Sequence, residues 1–252
     1  MELDFAAIAL LAVTGFIAGG INTVAGGGSN LTIPALMVLG LPADMANATN
    51  RVAVLLQSLV GVAGFDKHDS LDRPAIGPIL IPSLLGGALG ALGAALMPNL
   101  YLKPVLLLTI LSMSVVILLR PEIIAPPEGT PVLAPNESRS AWWGLFAAGV
   151  YGGFVQAGVG FILLAALAGG LRYDLVRANA LKMACALAFT VVSVAIFVVF
   201  DQISWIPGLV LAAGTMAGAH LAVKVAIKAS QNSIKWFLFA MTLFAVAAGF
   251  FL

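Results

Sequence analysis

With 252 residues, 61% of them hydrophobic and only 9% charged, and a mean hydropathy of +1.08, the chain lies far outside the range of soluble domains and reads as an all-α polytopic membrane protein. A net charge of +1 and 12 scattered Lys and Arg residues leave no basic patch, which excludes nucleic acid and makes the lipid bilayer the expected surroundings. The single Cys185 sits in an apolar run, so it offers neither a disulfide nor a metal site; no metal-ligand cluster or phosphate loop accompanies it, and no metal, nucleotide, flavin or other cofactor is expected.

The opening Met1-Glu2-Leu3-Asp4 lacks the positive n-region of a secretory signal. Residues 5–40 are almost uncharged, and as one helix they would reach about 54 Å against a hydrocarbon core of about 30 Å. The break falls at Ala25-Gly26-Gly27-Gly28-Ser29-Asn30, where glycines permit a turn at depth, and the arm after it is too short to cross alone. These lengths fit a re-entrant hairpin. Spans are expected at 43–65, at 75–97 with Gly86, Gly87, Gly90 and Gly93 suited to close helix packing, and at 103–119. The stretch 120–140 holds five prolines with acids among them, which rules out a helix. It divides the chain into a first repeat at 1–120, a cytoplasmic linker at 121–140 and a second repeat at 141–252.

The second repeat echoes the first. Gly152-Gly153 answers Gly19-Gly20, the cluster through Gly158 and Gly160 answers Gly26-Gly27-Gly28, and Arg177-Ala178-Asn179-Ala180-Leu181-Lys182 answers the run from Asn47 to Arg51. Spans follow at 175–200, 205–223 and 234–252, so each half has one glycine-broken segment and three ordinary helices. If both broken segments are re-entrant and both termini lie outside, Lys67, Arg73, Arg120, Arg139, Arg172, Arg177, Lys224, Lys228 and Lys235 are all cytoplasmic and Lys103 alone is external. Eight full crossings give a much weaker bias. An odd number of crossings per half also inverts the second repeat relative to the first, an architecture that lets transporters alternate access about a midplane site.

Arg51 lies about 12 Å inside its helix, with Lys182 comparably deep in the helix that enters from the opposite face. Two such cations are expected to converge, and with helix N-termini they form an anion site; the structural alternative is that each snorkels or meets a lone carbonyl. Asn47, Asn50 and Gln57 share a side of the Arg51 helix, as Asn179 does with Lys182. Asn22, Ser29, Asn30 and Gln156 stand at or beside the breaks, where they either bind an oxyanion or cap freed backbone groups. Asp44 and Asp174 are expected to be N-caps. No carboxylate lies at mid-membrane depth to relay protons or sodium.

Ser29 and His220 superficially resemble the dyad of an intramembrane serine protease of the rhomboid kind. A dyad is defined by geometry rather than by loose words, and a duplicated binding site explains both halves, so an enzyme is not expected. An anion channel, or a carrier for another small anion, is the nearer alternative.

Gly19-Gly20-Ile21-Asn22-Thr23-Val24-Ala25-Gly26-Gly27-Gly28-Ser29-Asn30-Leu31-Thr32-Ile33-Pro34, followed by Leu39-Gly40-Leu41-Pro42-Ala43-Asp44-Met45-Ala46-Asn47-Ala48-Thr49-Asn50-Arg51, resembles the first-half signature of the TauE/SafE family of sulfite exporters. The residues around Gly152, Gly160, Ala178 and Asn179 resemble its second half. The resemblance spans nearly the whole chain. It implies a bacterial or archaeal inner-membrane permease that exports a small sulfur oxyanion or organosulfonate, such as sulfite. The Ala157-Gly158-Val159-Gly160 cluster is thinner in glycine than its counterpart, so the two half-sites need not contribute equally.

Overall fold

The computed structural model describes residues 4–119, 130–135, 138–229 and 233. In chain order they form α1 (Phe5–Val24), α2 (Ser29–Val38), α3 (Ala43–Asp66), α4 (Arg73–Leu96), α5 (Asn99–Leu119), α6 (Arg139–Phe154), α7 (Val159–Leu164) continuing as a π-helical stretch over Ala165–Gly170, α8 (Leu175–Val199) and α9 (Trp205–Lys228). Helices α1, α3, α4, α8 and α9 are long and apolar enough to cross a membrane. Residues such as Leu85, Leu89, Leu96, Val199, Ile206 and Val225 present an apolar outer surface. The span expected at 234–252 and most of the linker lie outside the described residues.

Local chemistry explains where the helices start and stop. Asp4 caps α1 by accepting from Ala7 N (2.8 Å), Ser138 caps α6 by accepting from Ala141 N, and Asp174 caps α8 by accepting from Val176 N and Arg177 N. Asp44 differs from expectation. The extended Pro42 is the N-cap of α3, so Asp44 sits inside the first turn, and its own N–H donates to Asn99 Oδ1 (3.1 Å) at the start of α5. That helix begins before the expected residue 103 because Pro98 O accepts from both Tyr101 N and Leu102 N, closing an earlier turn. The first break follows from Gly26 at φ +97°, and the second from Gln156 at φ +70° and Gly158 at φ +75°.

Two glycine seams organise the packing. In one, Gly15 and Gly19 of α1 face Leu211 and Thr215 of α9, while Gly214 and Gly218 face Ala12 and Phe16. In the other, Gly86 and Gly90 of α4 face Phe146 and Val150 of α6, while Gly149 and Gly153 face Ser83 and Gly87. Small residues let backbones approach closely where lipid supplies no hydrophobic drive between helices. The contacts progress in register, so α1 and α9 run parallel, as do α4 and α6. Helix α3 runs parallel to α9, with Thr49 and Val52 at Gly208 and Val223 at Gly64; α8 runs parallel to α4, with Phe189 at Gly87 and Gln202 donating to Ala95 O. Packing therefore crosses the 120–140 division: α9 joins α1 and α3, and α4 joins α6 and α8.

Helices α3 and α8 pass antiparallel at the centre, where Met183 lies on Gly61 and Arg51 on Phe197. One face of the bundle holds Asp4, Asp44, Asn99, Lys103 and Asp201. The opposite face holds Lys67, Arg73, Arg139, Arg172, Arg177 and Lys228, with Tyr173 donating to Asp72 (2.8 Å) between two of its connections.

Candidate functional site at the crossing of two breaks

The two breaks touch. Gly160 N donates to Gly26 O (3.3 Å), and a Cβ on either glycine would fall under 3.0 Å from the Cα of the other. Gly28 packs on Ala18 O and Asn22, while Gly27 faces the Phe161 ring and Gly158 caps α7. Beyond the turn, Asn50 of α3 ties down α2: its Nδ2 donates to Ser29 Oγ (3.1 Å) and its Oδ1 accepts from Thr32 Oγ1 (2.6 Å).

A helix that stops inside a bundle leaves its last carbonyls without partners. At the end of α1, Ile21 O accepts from Ala25 N and Gly26 N, and the next two carbonyls go to a lysine: Lys182 Nζ donates to Asn22 O (2.9 Å), Thr23 O (2.8 Å) and Asn179 Oδ1 (2.6 Å). At the end of α6 the pattern recurs with an arginine. Tyr151 O accepts from Val155 N, Arg51 donates through Nη1 to Gly152 O and Gln156 Oε1 and through Nη2 to Gly153 O (2.8 Å), and Asn47 Nδ2 closes the turn on Phe154 O (2.9 Å). Asn47 Oδ1 also accepts from Arg51 Nη2 at 3.4 Å, and the guanidinium lies 5.7 Å from the Phe197 ring centre. Each cation thus holds the broken helix of the other half, where the negative end of a helix dipole favours positive charge.

Arg51 and Lys182, expected to converge, belong to two hydrogen-bond networks with no residue in common. Both are buried, and among the described residues neither forms an ion pair. The geometry also corrects the register of the echo: Gly152-Gly153 stands where Asn22-Thr23 stands, since these carbonyl pairs receive the cations, and Gln156 stands where Gly26 does. Asn30 is buried with both amide atoms unpartnered, and Gln57 is buried with Nε2 unpartnered. Asn179 Nδ2 donates to Leu175 O inside its own helix.

Ser29 and His220 do not form a dyad. Ser29 is buried and bonded to Asn50, whereas His220 lies on the exposed face of α9, not packed as a buried hydrogen-bonding group. Sequence reasoning did not single out Thr32 or Phe197. Thr32 lies one helical turn from Ser29 and shares its face, which was a usable signal; Phe197 meets Arg51 only through folding. Among the described residues there is no group of three His, Cys, Asp or Glu placed to hold a metal.

Comparison with known proteins adds an independent line. A family model described as sulfite exporter TauE/SafE matches residues 11–249. A probable membrane transporter protein of Haemophilus influenzae is 29% identical over 242 residues, covering 93% of this chain and 91% of that protein. Two further probable membrane transporter proteins are similar: ORF9 of a Sinorhizobium species, 27% identical over 93% of this chain and 88% of its own length, and YfcA of Escherichia coli, 23% identical over 90% and 84%.

Proposed function

The chain belongs to the TauE/SafE family of membrane transporters, and from that premise we propose that it moves a small sulfur oxyanion or organosulfonate, sulfite first among them, through the polar layer where its two breaks cross. The observation that carries this reading is the positive charge of two buried cations, Arg51 and Lys182, with no carboxylate in ion-pair range of either among the described residues. Buried charge in a bilayer is costly and marks a pathway for an ion of opposite sign. The amides of Asn22, Asn30, Asn47, Asn50, Gln57, Gln156 and Asn179 and the Ser29 hydroxyl supply donors that replace hydration as the anion leaves water.

The mechanism is alternating access in a protein built from two inverted repeats, each opened by a re-entrant hairpin. The reading is supported by the parallel course of α1 and α3, by the antiparallel course of α3 and α8, and by the reciprocal capping of each broken helix by the other half. Contact between Gly26 and Gly160 favours a carrier over an open channel, because it closes the route between the tips. The face rich in Lys and Arg is cytoplasmic by the positive-inside rule, which puts the N-terminus outside in a bacterial or archaeal inner membrane. Efflux of an anion from a negative interior is favoured by about 2.3 kcal/mol per charge per 100 mV, so export needs no coupled ion.

Fluxes of sulfite, thiosulfate, sulfate and sulfoacetate from proteoliposomes test the proposal. Saturable counterflow of sulfite is expected. Flux that rises linearly with concentration and shows no counterflow would indicate a channel, and no flux of any of these anions would remove the reading.

A further inference from the structure

The two buried cations are not equivalent. An ammonium carries three N–H donors and a guanidinium five. Lys182 meets three acceptors, Asn22 O, Thr23 O and Asn179 Oδ1, so all its donors are used. Arg51 directs its four Nη donors to Gly152 O, Gln156 Oε1, Gly153 O and Asn47 Oδ1, and its Nε has no partner. Because a guanidinium can only donate, it turns the Gln156 oxygen toward itself and the amide nitrogen away. That Nε2 is also without a partner. Arg51 is 0% exposed and Gln156 1%, so two unused donors, one on a cation, sit buried in one bonded pair. Gln156 holds its place at φ +70°, a strained conformation for a residue other than glycine. Buried donors left unmet are uncommon and each calls for an explanation, a bound ion among them.

Building on the reading of this chain as an anion transporter, we propose that the anion is gripped by the Arg51–Gln156 pair through Arg51 Nε and Gln156 Nε2, and that Lys182 is a clamp on the end of α1 that does not touch it. Two buried donors with no acceptor of their own suit an anion whose oxygens all accept. It therefore takes sulfite or a sulfonate in fully ionised form and disfavours bisulfite or hydrogen phosphate, whose O–H would face an N–H. Lys182 acts on the anion only through its charge at a distance.

Sulfite and methanesulfonate binding to the purified protein, measured by calorimetry under anaerobic conditions, tests the division of roles. Gln156→Leu is expected to weaken both by about tenfold or more, the loss of a charge-assisted hydrogen bond. Lys182→Arg keeps the charge and the donors for the two α1 carbonyls and is expected to hold affinity within about threefold. Wild-type sulfite affinity should rise with pH as bisulfite ionises, while methanesulfonate affinity stays flat. Lys182→Gln, which removes the charge but keeps donors, should weaken sulfite more than methanesulfonate, as the loss of a charge at a distance does. Loss of binding in folded Lys182→Arg with Gln156→Leu unchanged overturns this proposal but leaves the transporter reading standing. No wild-type binding of either anion overturns both.

Discussion

The crossing of the breaks can be challenged by adding a single methyl group. Gly26→Ala puts a Cβ under 3.0 Å from Gly160 Cα, where ordinary carbon contacts lie at about 3.5–4.0 Å. Both sides are backbone, so no rotamer change can relieve the overlap. Overpacking of this kind costs about 1–3 kcal/mol, and the φ of +97° at Gly26 adds about 1–2 kcal/mol for an L-residue. Gly160→Ala has the overlap without the positive φ and should cost about 1–3 kcal/mol. At Gly93 the nearest atom to an added Cβ is the Phe154 ring at 3.6 Å, an ordinary contact, so Gly93→Ala should be neutral. The buried Cys185 provides the assay, since a thiol-reactive fluorophore reports its exposure as detergent-solubilised protein is heated. At about 2–4 °C per kcal/mol, the melting temperature should drop by about 2–12 °C for Gly160→Ala, further for Gly26→Ala, and hardly at all for Gly93→Ala. Equal drops at all three positions would refute the reasoning, because they would mean the contact between the breaks does not set the cost.

Three other outcomes are expected. In a Cys185→Ser background, cysteines at Asp4 and Asn99 should label from outside the cell, and cysteines at Lys67 and Arg177 only after permeabilisation; Asp4 and Lys67 labelling from the same side would remove the re-entrant hairpin. Burial, and then the hydrogen bond to Asp72, hold the Tyr173 phenol above its usual pKa. The folded protein thus keeps this proton longer than the unfolded chain, so the stabilisation is complete below about pH 10 and lost as pH rises further. Tyr173→Phe should lower stability by about 1 kcal/mol at neutral pH and flatten the loss at alkaline pH, both visible in melting curves. Asn50→Ala removes the link from α3 to Ser29 and Thr32 and should cost about 1–3 kcal/mol, read in the same assay.

Much of the site could be read before folding because lipid makes exceptions conspicuous. Gly26 and Gly160 stood out because a glycine cluster in an apolar run needs a reason, and Arg51 and Lys182 because a charge at such depth needs a partner. The identity of that partner was hidden. Gly152 and Gly153 act through carbonyls that every residue possesses, so nothing in their side chains marks them as acceptors for Arg51. The exchange of α4 and α9 between the halves was hidden for a similar reason: glycine seams say that helices pack closely without saying which ones. The echo of Gly19-Gly20 in Gly152-Gly153 misled by matching letters, whereas the bonding aligns Asn22 and Thr23 with that pair. Asp174 was legible as a cap, but Pro42 displaced Asp44 from the same role by starting the helix two residues earlier.

The most direct measurement is efflux of sulfite from proteoliposomes holding equal amounts of folded protein, wild type against Arg51→Gln, with Arg139→Gln, at the exposed start of α6, as the control. Saturable efflux from wild type and the Arg139 variant is expected, with efflux from Arg51→Gln reduced by about tenfold or more. Equal efflux from all three would contradict the account, because the buried guanidinium at the crossing would then play no part in moving the anion.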